Sequence, residues 1–145
     1  MRSFTYTREI ARPTEEIFAF ITDVGNAPRW RNLVRRMEVV GGGPLRQGAQ
    51  VAVTLDVAGR EQRTLSEVCA FEPPRRIAQR NVASGVAGSF EYLLEPTPRG
   101  TRITFTCDVR PSGWMWLLLP LLIRTNRARF RDQLSTLERA MESPG

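Results

Sequence analysis

The sequence of 145 residues contains neither histidine nor lysine, and all 21 of its basic residues are arginine. The missing histidine excludes Ser-His-Asp and Cys-His nucleophiles and histidine metal sites, and the missing lysine excludes a Schiff base. Acid-base or polarising chemistry is left to carboxylates, tyrosine, cysteine, serine, threonine and arginine. These absences favour binding over catalysis, and we expect neither a metal ion nor a cofactor.

Cysteine and long apolar runs are also scarce. The two cysteines, Cys69 and Cys107, each lie in the middle of a strand-like segment, away from other metal-ligating residue types, so we expect both to be buried small apolar residues. The amino terminus lacks the apolar core of a signal peptide, which predicts a cytoplasmic protein. The apolar run over residues 114–123 is about half the length that spans a bilayer, so we expect no stable membrane insertion.

The net charge of +6 would suit an anionic partner, but the arginines are scattered along the chain without a basic run or interleaved aromatic residues. This distribution indicates a general solubility charge, and we expect no nucleic acid partner. Contact with a membrane surface through Trp114, Trp116 and neighbouring arginines is an alternative. A homodimer is also possible, because nothing in the sequence decides the oligomeric state.

The first third of the chain predicts one strand and two short helices. Residues 3–10 alternate apolar and polar side chains, which is typical of a strand with one solvated face. Pro13 fits the first turn of the following helix, and Glu15 and Glu16 favour its positive end. That helix is expected to end over Asp23 to Asn26. A second, shorter helical turn is predicted around Pro28.

The middle of the chain predicts six strands in an antiparallel meander, because alternating segments are separated by turn signals. The first segment ends near Val39. The other five are residues 51–57, 61–71, 77–83, 86–94 and 101–109. In the 61–71 strand, one face carries three charged and three apolar or thiol side chains, and the other carries small or apolar ones: Glu61, Arg63, Leu65, Glu67, Cys69 and Phe71 against Thr64, Ser66, Val68 and Ala70. The sequence therefore leaves open which face is buried, and a bulge could switch the faces midway.

Residues 114–141 predict one long amphipathic helix. Its apolar stripe recurs at steps of three and four residues: Trp116, Leu119, Ile123, Phe130, Leu134, Leu137 and Met141. Asn126 and Arg127 are the only polar positions predicted on this inner face. They flank the stripe on opposite edges, at one turn of the helix, so they could supply an amide and a cation to an apolar wall. The alternative is that Arg127 extends into solvent. Pro120 predicts either a kink or the first turn of the helix.

These elements predict a single α+β domain over residues 1–145. A curved antiparallel sheet with one apolar face needs a cover, and only the final helix is long enough to supply it, while the two short helices close one end. The space between sheet and helix is then the expected pocket. We expect its ligand-binding residues to be Trp30, Tyr92, Ile123, Asn126, Arg127 and Phe130. The Tyr92 hydroxyl is the best acid or orienting donor, but no catalytic residue can be named.

Six short stretches of the sequence carry a family resemblance as a set: ARPTEEIF (11–18), PRW (28–30), VVGGGP (39–44), SEV (66–68), EPPRRI (72–77) and GTRITF (100–105). The chain resembles the START-like superfamily, also called SRPBCC, and within it the polyketide cyclase/dehydrase and lipid-transport group. The resemblance implies a helix-grip fold with a deep hydrophobic cavity under the carboxy-terminal helix. None of the stretches is a catalytic signature.

The resemblance implies binding of a small hydrophobic or amphiphilic ligand, lipid- or polyketide-like, between the sheet and the carboxy-terminal helix. The alternative is a polyketide cyclase/dehydrase-type enzyme that acts on a ligand in the same cavity. Some members of the family use a cavity histidine or lysine, and this chain has neither. The implied pocket therefore carries over more strongly than the implied activity.

Overall fold

The computed structural model describes residues 2–31, 34–57, 59–83, 86–111 and 132–142. Its elements, in chain order, are β1 (Arg2–Ile10), α1 (Thr14–Thr22), a 3₁₀ turn (Val24–Asn26), α2 (Ala27–Trp30), β2 (Val34–Val39), β3 (Gln50–Val57), β4 (Arg60–Glu72), β5 (Arg76–Ala83), β6 (Val86–Thr97), β7 (Gly100–Pro111) and α3 at residues 132–142. The predicted order of one strand, two short helices, six strands and a final helix is confirmed.

The seven strands form one antiparallel sheet in the order β1-β7-β6-β5-β4-β3-β2. The strands β2 to β7 are therefore a meander, and β1 and β2 lie at opposite edges. Because only α1, the 3₁₀ turn and α2 connect β1 to β2, these short elements must cross one end of the sheet. The sheet is curved and its concave face holds α3, so the predicted helix-grip α+β fold is confirmed.

The concave face is apolar because alternate residues of the central strands point to it. Tyr92 lies opposite Phe105, and Leu94 lies opposite Ile103, and all four are buried. Their neighbours along the strands are less buried, and Glu95 and Arg102 are exposed. Burying each such side chain stabilises the fold by roughly 1.5–3 kcal/mol. The buried Leu134 and Leu137 of α3 belong to the same core cluster.

Helix α1 covers one end of the concave face. Its first turn carries Glu15 and Glu16, and Ile17, Phe18 and Ile21 are buried. The Phe18 ring lies 5.6 Å from the Phe71 ring of β4, between centroids. Pro13, which was predicted in the first turn, lies one residue earlier, in an extended conformation at the N-cap. Proline has no amide hydrogen, so it leaves no backbone donor unsatisfied at the start of α1.

Three arginines hold the end of α3 against the rest of the domain. Arg8 of β1 pairs with Glu138 at 2.5 Å, between Nη2 and Oε1. Arg12 donates from Nη2 to the Met141 carbonyl at 3.3 Å, and Arg29 donates from Nη2 to the Ala140 carbonyl at 3.1 Å. Cationic donors are favourable at a helix carboxy terminus, whose last carbonyls have no partner within the helix.

A bulge in β4 decides the face that the sequence left open. Ser66 and Val68 are buried, but the register with β5 shifts between Val68 and Ala70, so Cys69 is the extra residue. Beyond the bulge, Phe71 packs against the core. The expectation that Cys69 is buried is wrong: it follows the buried Val68, so strand alternation directs it to the opposite, exposed face. Cys107 is only partly buried.

The hairpin between β6 and β7 is tighter than predicted. Residues 96–100 were expected to form the turn, but β6 continues through Pro96, which lies opposite Thr101. Strand β5 pairs with β6 only as far as Leu93, so a proline beyond that point costs no hydrogen bond on that side. Gly100 has φ of +153°, and a Cβ there would collide with the Ile10 carbonyl, so the close approach of β1 requires glycine.

Candidate ligand-binding site

A cavity of about 230 Å³ lies at one end of the concave face, and its lining draws on every strand from β2 to β7. Its apolar lining consists of Val34, Val53, Leu55, Phe90, Phe105 and Cys107, and its polar lining consists of Arg31, Thr64, Ser66, Asn81 and Gln133. Pockets for drug-sized ligands usually measure about 300–1,000 Å³. The described cavity is therefore suited to a small molecule or to one part of a larger one.

The strand register explains why these residues share one wall. Val53 of β3 lies directly opposite Thr64 of β4, and Phe90 of β6 lies directly opposite Cys107 of β7. Opposed residues in an antiparallel pair point to the same face, and so do residues two apart along a strand. Leu55 therefore joins Val53 on the wall. Strand alternation thus places hydroxyl groups among apolar side chains on a single surface.

Arg31 supplies a permanent cation to the cavity wall. It follows directly after α2, and its Cζ lies 4.7 Å from the centroid of the Phe90 ring. Its Nη1 lies 3.4 Å from the Met37 Sδ, a weak acceptor. The ring and the thioether hold the guanidinium in place from two strands, which is a favourable cation-π arrangement.

Ser66 is held by a buried neighbour on the next strand. Gln79 of β5 donates from Nε2 to the Ser66 Oγ at 3.4 Å, and both residues are only 2% exposed. A serine hydroxyl that accepts one hydrogen bond still has its own proton to donate. Because Ser66 lines the cavity, that proton is available to a ligand oxygen.

Behind this wall lies a buried cluster around Tyr92. Gln133 of α3 donates from Nε2 to the Tyr92 hydroxyl, and the Trp30 ring meets the Tyr92 ring edge-on at 5.4 Å between centroids. Burial raises the pKa of Tyr92 well above its ordinary value, against the opposing charge of Arg31. The phenol therefore stays protonated at neutral pH. Within the described part of the chain, the buried Trp30 Nε1 has no hydrogen-bond partner.

Cys107 lines the cavity as a protonated thiol. Burial raises the pKa of Cys107 to about 11, and the nearby Asp108 acts in the same direction. Because the thiolate is the nucleophilic form, this thiol is a weak nucleophile at neutral pH. Its contribution to the cavity is mainly apolar surface.

Two of the six residues predicted to contact a ligand lie in the described part of the chain. Trp30 and Tyr92 are 2% and 3% exposed, and both lie behind the lining rather than in it. The Tyr92 ring contacts two lining rings, those of Phe90 and Phe105, at centroid distances of 5.8 Å and 5.0 Å. A direct ligand contact by Trp30 or Tyr92 stays a prediction.

The other four predicted residues, Ile123, Asn126, Arg127 and Phe130, lie outside the described residues, and so does Pro120 with its predicted kink. The predictions that depend on them stay predictions.

The sequence argument missed Arg31, Ser66 and Gln133. It held that Asn126 and Arg127 were the only polar interruption of the helix stripe, and the buried Gln133 shows that this was wrong. The signal was present, because Gln133 follows Asn126 by seven residues, or about two helical turns. No comparable signal existed for Arg31, whose position depends on how the chain leaves α2.

Comparison with known proteins identifies the family of the chain. The model of the family described as polyketide cyclase/dehydrase and lipid transport matches residues 1–142. The chain belongs to this family. A search of curated proteins finds no match.

Solved structures with the same fold as this family member include two bacterial proteins. TTHA0849 of Thermus thermophilus has a TM-score of 0.78 at 19% identity, with 96% of each chain covered. DR_A0006 of Deinococcus radiodurans has a TM-score of 0.71 at 23% identity, with 98% of each chain covered. The di-domain ARO/CYC protein BexL, from the BE-7585A biosynthetic pathway, has a TM-score of 0.79 at 20% identity, over 98% of this chain and 47% of BexL.

The described residues limit what this polyketide cyclase/dehydrase and lipid transport family member can do chemically. None of their helices has the length and apolar character needed to cross a membrane. They contain no group of three or more cysteine and acidic side chains that could hold a metal ion. The described lining offers hydroxyl, amide and guanidinium donors but no carboxylate. It can therefore bind and polarise a ligand oxygen, whereas a carboxylate base is not among these lining residues.

Proposed function

We propose that the protein binds a small amphiphilic molecule, lipid- or polyketide-like, in the cavity between the sheet and α3. The observation that carries the proposal is the composition of the cavity wall, in which Arg31, Thr64 and Ser66 stand among apolar side chains. Ligand sites typically combine a largely apolar lining with a few polar groups that fix orientation. The family match supports the same conclusion at a coarser level.

The volume of the cavity narrows the class of ligand. A cavity of about 230 Å³ suits a bicyclic aromatic body or a short hydrocarbon chain better than a long-chain lipid. Ile123, Asn126, Arg127 and Phe130 remain proposed contacts on the sequence argument. Arg127→Leu tests the proposed role of Arg127, because it should weaken the binding of an acidic ligand and leave the binding of a neutral ligand nearly unchanged. The proposal involves a small molecule in the cytoplasm and no nucleic acid.

The experiment is a fluorescence titration with N-phenyl-1-naphthylamine, a neutral apolar probe that becomes bright in apolar surroundings. Thr64→Trp should fill the cavity and weaken binding at least about tenfold, which is about 1.4 kcal/mol. Arg63→Trp is the matched control, because Arg63 precedes Thr64 on β4 and is exposed on the other face. Its titration should match that of the wild type. Absence of saturable binding, or equal loss in both variants, would contradict the proposal.

An enzyme of the cyclase/dehydrase kind is the second candidate, favoured by the family match and by the cation at the wall. In that case Arg31 would polarise a ligand carbonyl. The Tyr92 phenol, the expected proton donor, lies behind the described lining with its pKa raised by burial. A general acid works best with a pKa near the operating pH. Binding without turnover is therefore the function that we propose.

A further inference from the structure

We infer that Arg31 recognises the carboxylate of the ligand, so that the proposed amphiphile is a small aromatic or short-chain carboxylic acid. This inference rests on the proposed function and adds to it the chemistry of the ligand's head. It depends on the surroundings of Arg31, on the remaining lining and on the charge of the cavity.

Arg31 forms no ion pair with a carboxylate of the described residues, unlike several other arginines of the domain. Ion pairs to described carboxylates are made by Arg8, Arg12, Arg35, Arg36, Arg76 and Arg80. The guanidinium of Arg31 instead contacts an aromatic ring and a thioether, and its Nε is buried without a hydrogen-bond partner among those residues. Neither contact replaces a charged acceptor, and an unmade buried donor is destabilising. A ligand carboxylate in the cavity would give the guanidinium the charged partner that it lacks among the described residues.

The remaining described lining also favours an anion. Ser66 can donate its hydroxyl proton, because its oxygen already accepts from Gln79. Thr64 adds a second hydroxyl on the same strand, and no aspartate or glutamate belongs to this lining. Arg31 stacks on Phe90, which lies opposite Cys107 and packs against Tyr92, and its positive charge opposes the rise that burial causes in the pKa of both groups. A carboxylate would enter a positive, donor-rich wall.

The structure also explains why Arg31 is suited to this role and Arg29 is not. Both guanidiniums lie over a phenylalanine ring, Arg29 at 5.3 Å from the Phe20 centroid and Arg31 at 4.7 Å from the Phe90 centroid. Arg29 donates to Asn26 and to the Ala140 carbonyl, and it is exposed outside the cavity. The two residues therefore form a matched pair in charge and stacking, of which only Arg31 lines the cavity.

The experiment compares 2-naphthoate with 2-naphthamide by isothermal titration calorimetry at pH 7. The two probes share their bicyclic body and differ in charge. We expect the wild type to bind the acid at least about tenfold more tightly than the amide, since hydrogen bonds to charged groups are the stronger ones. Arg31→Gln should lose about that factor for the acid and less than about twofold for the amide. Retained amide binding also establishes that the variant is folded.

Arg29→Gln should bind both probes as the wild type does. Arg31→Lys should retain part of the preference for the acid, because it keeps the charge but loses the flat guanidinium fork. Equal binding of acid and amide by the wild type, or an equal loss of both in Arg31→Gln, would overturn the role of Arg31 and leave the proposed function intact. If neither probe binds and N-phenyl-1-naphthylamine also fails to bind, the proposed function itself is overturned.

Discussion

One end of the concave face is filled by buried side chains and the other contains a cavity, although the same alternating strands build both. At the packed end, buried apolar side chains of α1, the sheet and α3 fill the space: Ile17, Phe18, Ile77, Leu94 and Leu137. At the cavity end, the strands carry Thr64 and Ser66 among apolar residues, and about 230 Å³ stays open. The comparison teaches that strand alternation selects a face, whereas the size and polarity of the side chains on that face distinguish the core from the candidate site.

The largest expected effect contrasts one leucine from each end. Leu137 is 0% exposed in α3, so Leu137→Ala should cost about 3 kcal/mol of unfolding free energy. Leu55 is partly exposed and already borders the cavity, so Leu55→Ala should cost only about 1 kcal/mol. Urea unfolding followed by circular dichroism measures both values. Equal costs would mean that the two ends are packed alike.

The next effect tests the buried junction between the two ends, where Gln133 donates to the Tyr92 hydroxyl. Gln133→Leu should cost about 2 kcal/mol, because it leaves a buried hydroxyl without that partner. Tyr92→Phe alone should also destabilise the protein, since the amide then loses its acceptor. The double variant should cost less than the sum of the two, as a double-mutant cycle in urea measures. Strict additivity would show that the hydrogen bond contributes nothing.

A further effect is expected at alkaline pH, from Cys107 at the cavity end. Burial raises the pKa of Cys107 from its ordinary 9.0 to about 11. Between those values the unfolded chain has lost a proton that the folded chain keeps, so the stability contribution is complete below about pH 9 and is lost as the pH rises toward 11. The wild type should lose up to about 2 kcal/mol more than Cys107→Ala over this range, since each pKa unit corresponds to about 1.4 kcal/mol. Thermal melts at pH 8, 9.5 and 11 compare the two proteins, and identical slopes would contradict the assignment.

The packed end could be predicted from the sequence because periodicity and turn signals determine it. The alternation in β6 identified the buried Tyr92, and the stripe of the final helix identified Leu134 and Leu137. The stretches that resemble the family supplied the helix-grip architecture, which the family match over residues 1–142 supports. Such features depend on regular local patterns, and they survive without tertiary information.

The cavity end could not be predicted in the same way, because it depends on irregular features. Arg31 reaches the cavity because α2 ends one residue earlier and redirects the chain. Gln133 follows Asn126 by seven residues, but a polar residue does not contribute to the apolar stripe from which burial in the final helix was predicted. Tertiary placement, rather than composition, made these residues part of the site.

The central claim, that a ligand occupies the cavity end, is tested most directly by thiol labelling of the protein's own two cysteines. Cys107 lines the cavity, and the exposed Cys69 lies outside it, so each protein molecule carries its own reference. N-ethylmaleimide labelling at pH 8, followed by peptide mass spectrometry, would be carried out with and without saturating 2-naphthoate. We predict that the ligand slows labelling of Cys107 at least about tenfold and leaves the rate at Cys69 unchanged, because a bound ligand blocks access to the thiolate. Bound 2-naphthoate that leaves the Cys107 rate unchanged, or that slows both cysteines equally, would contradict the account.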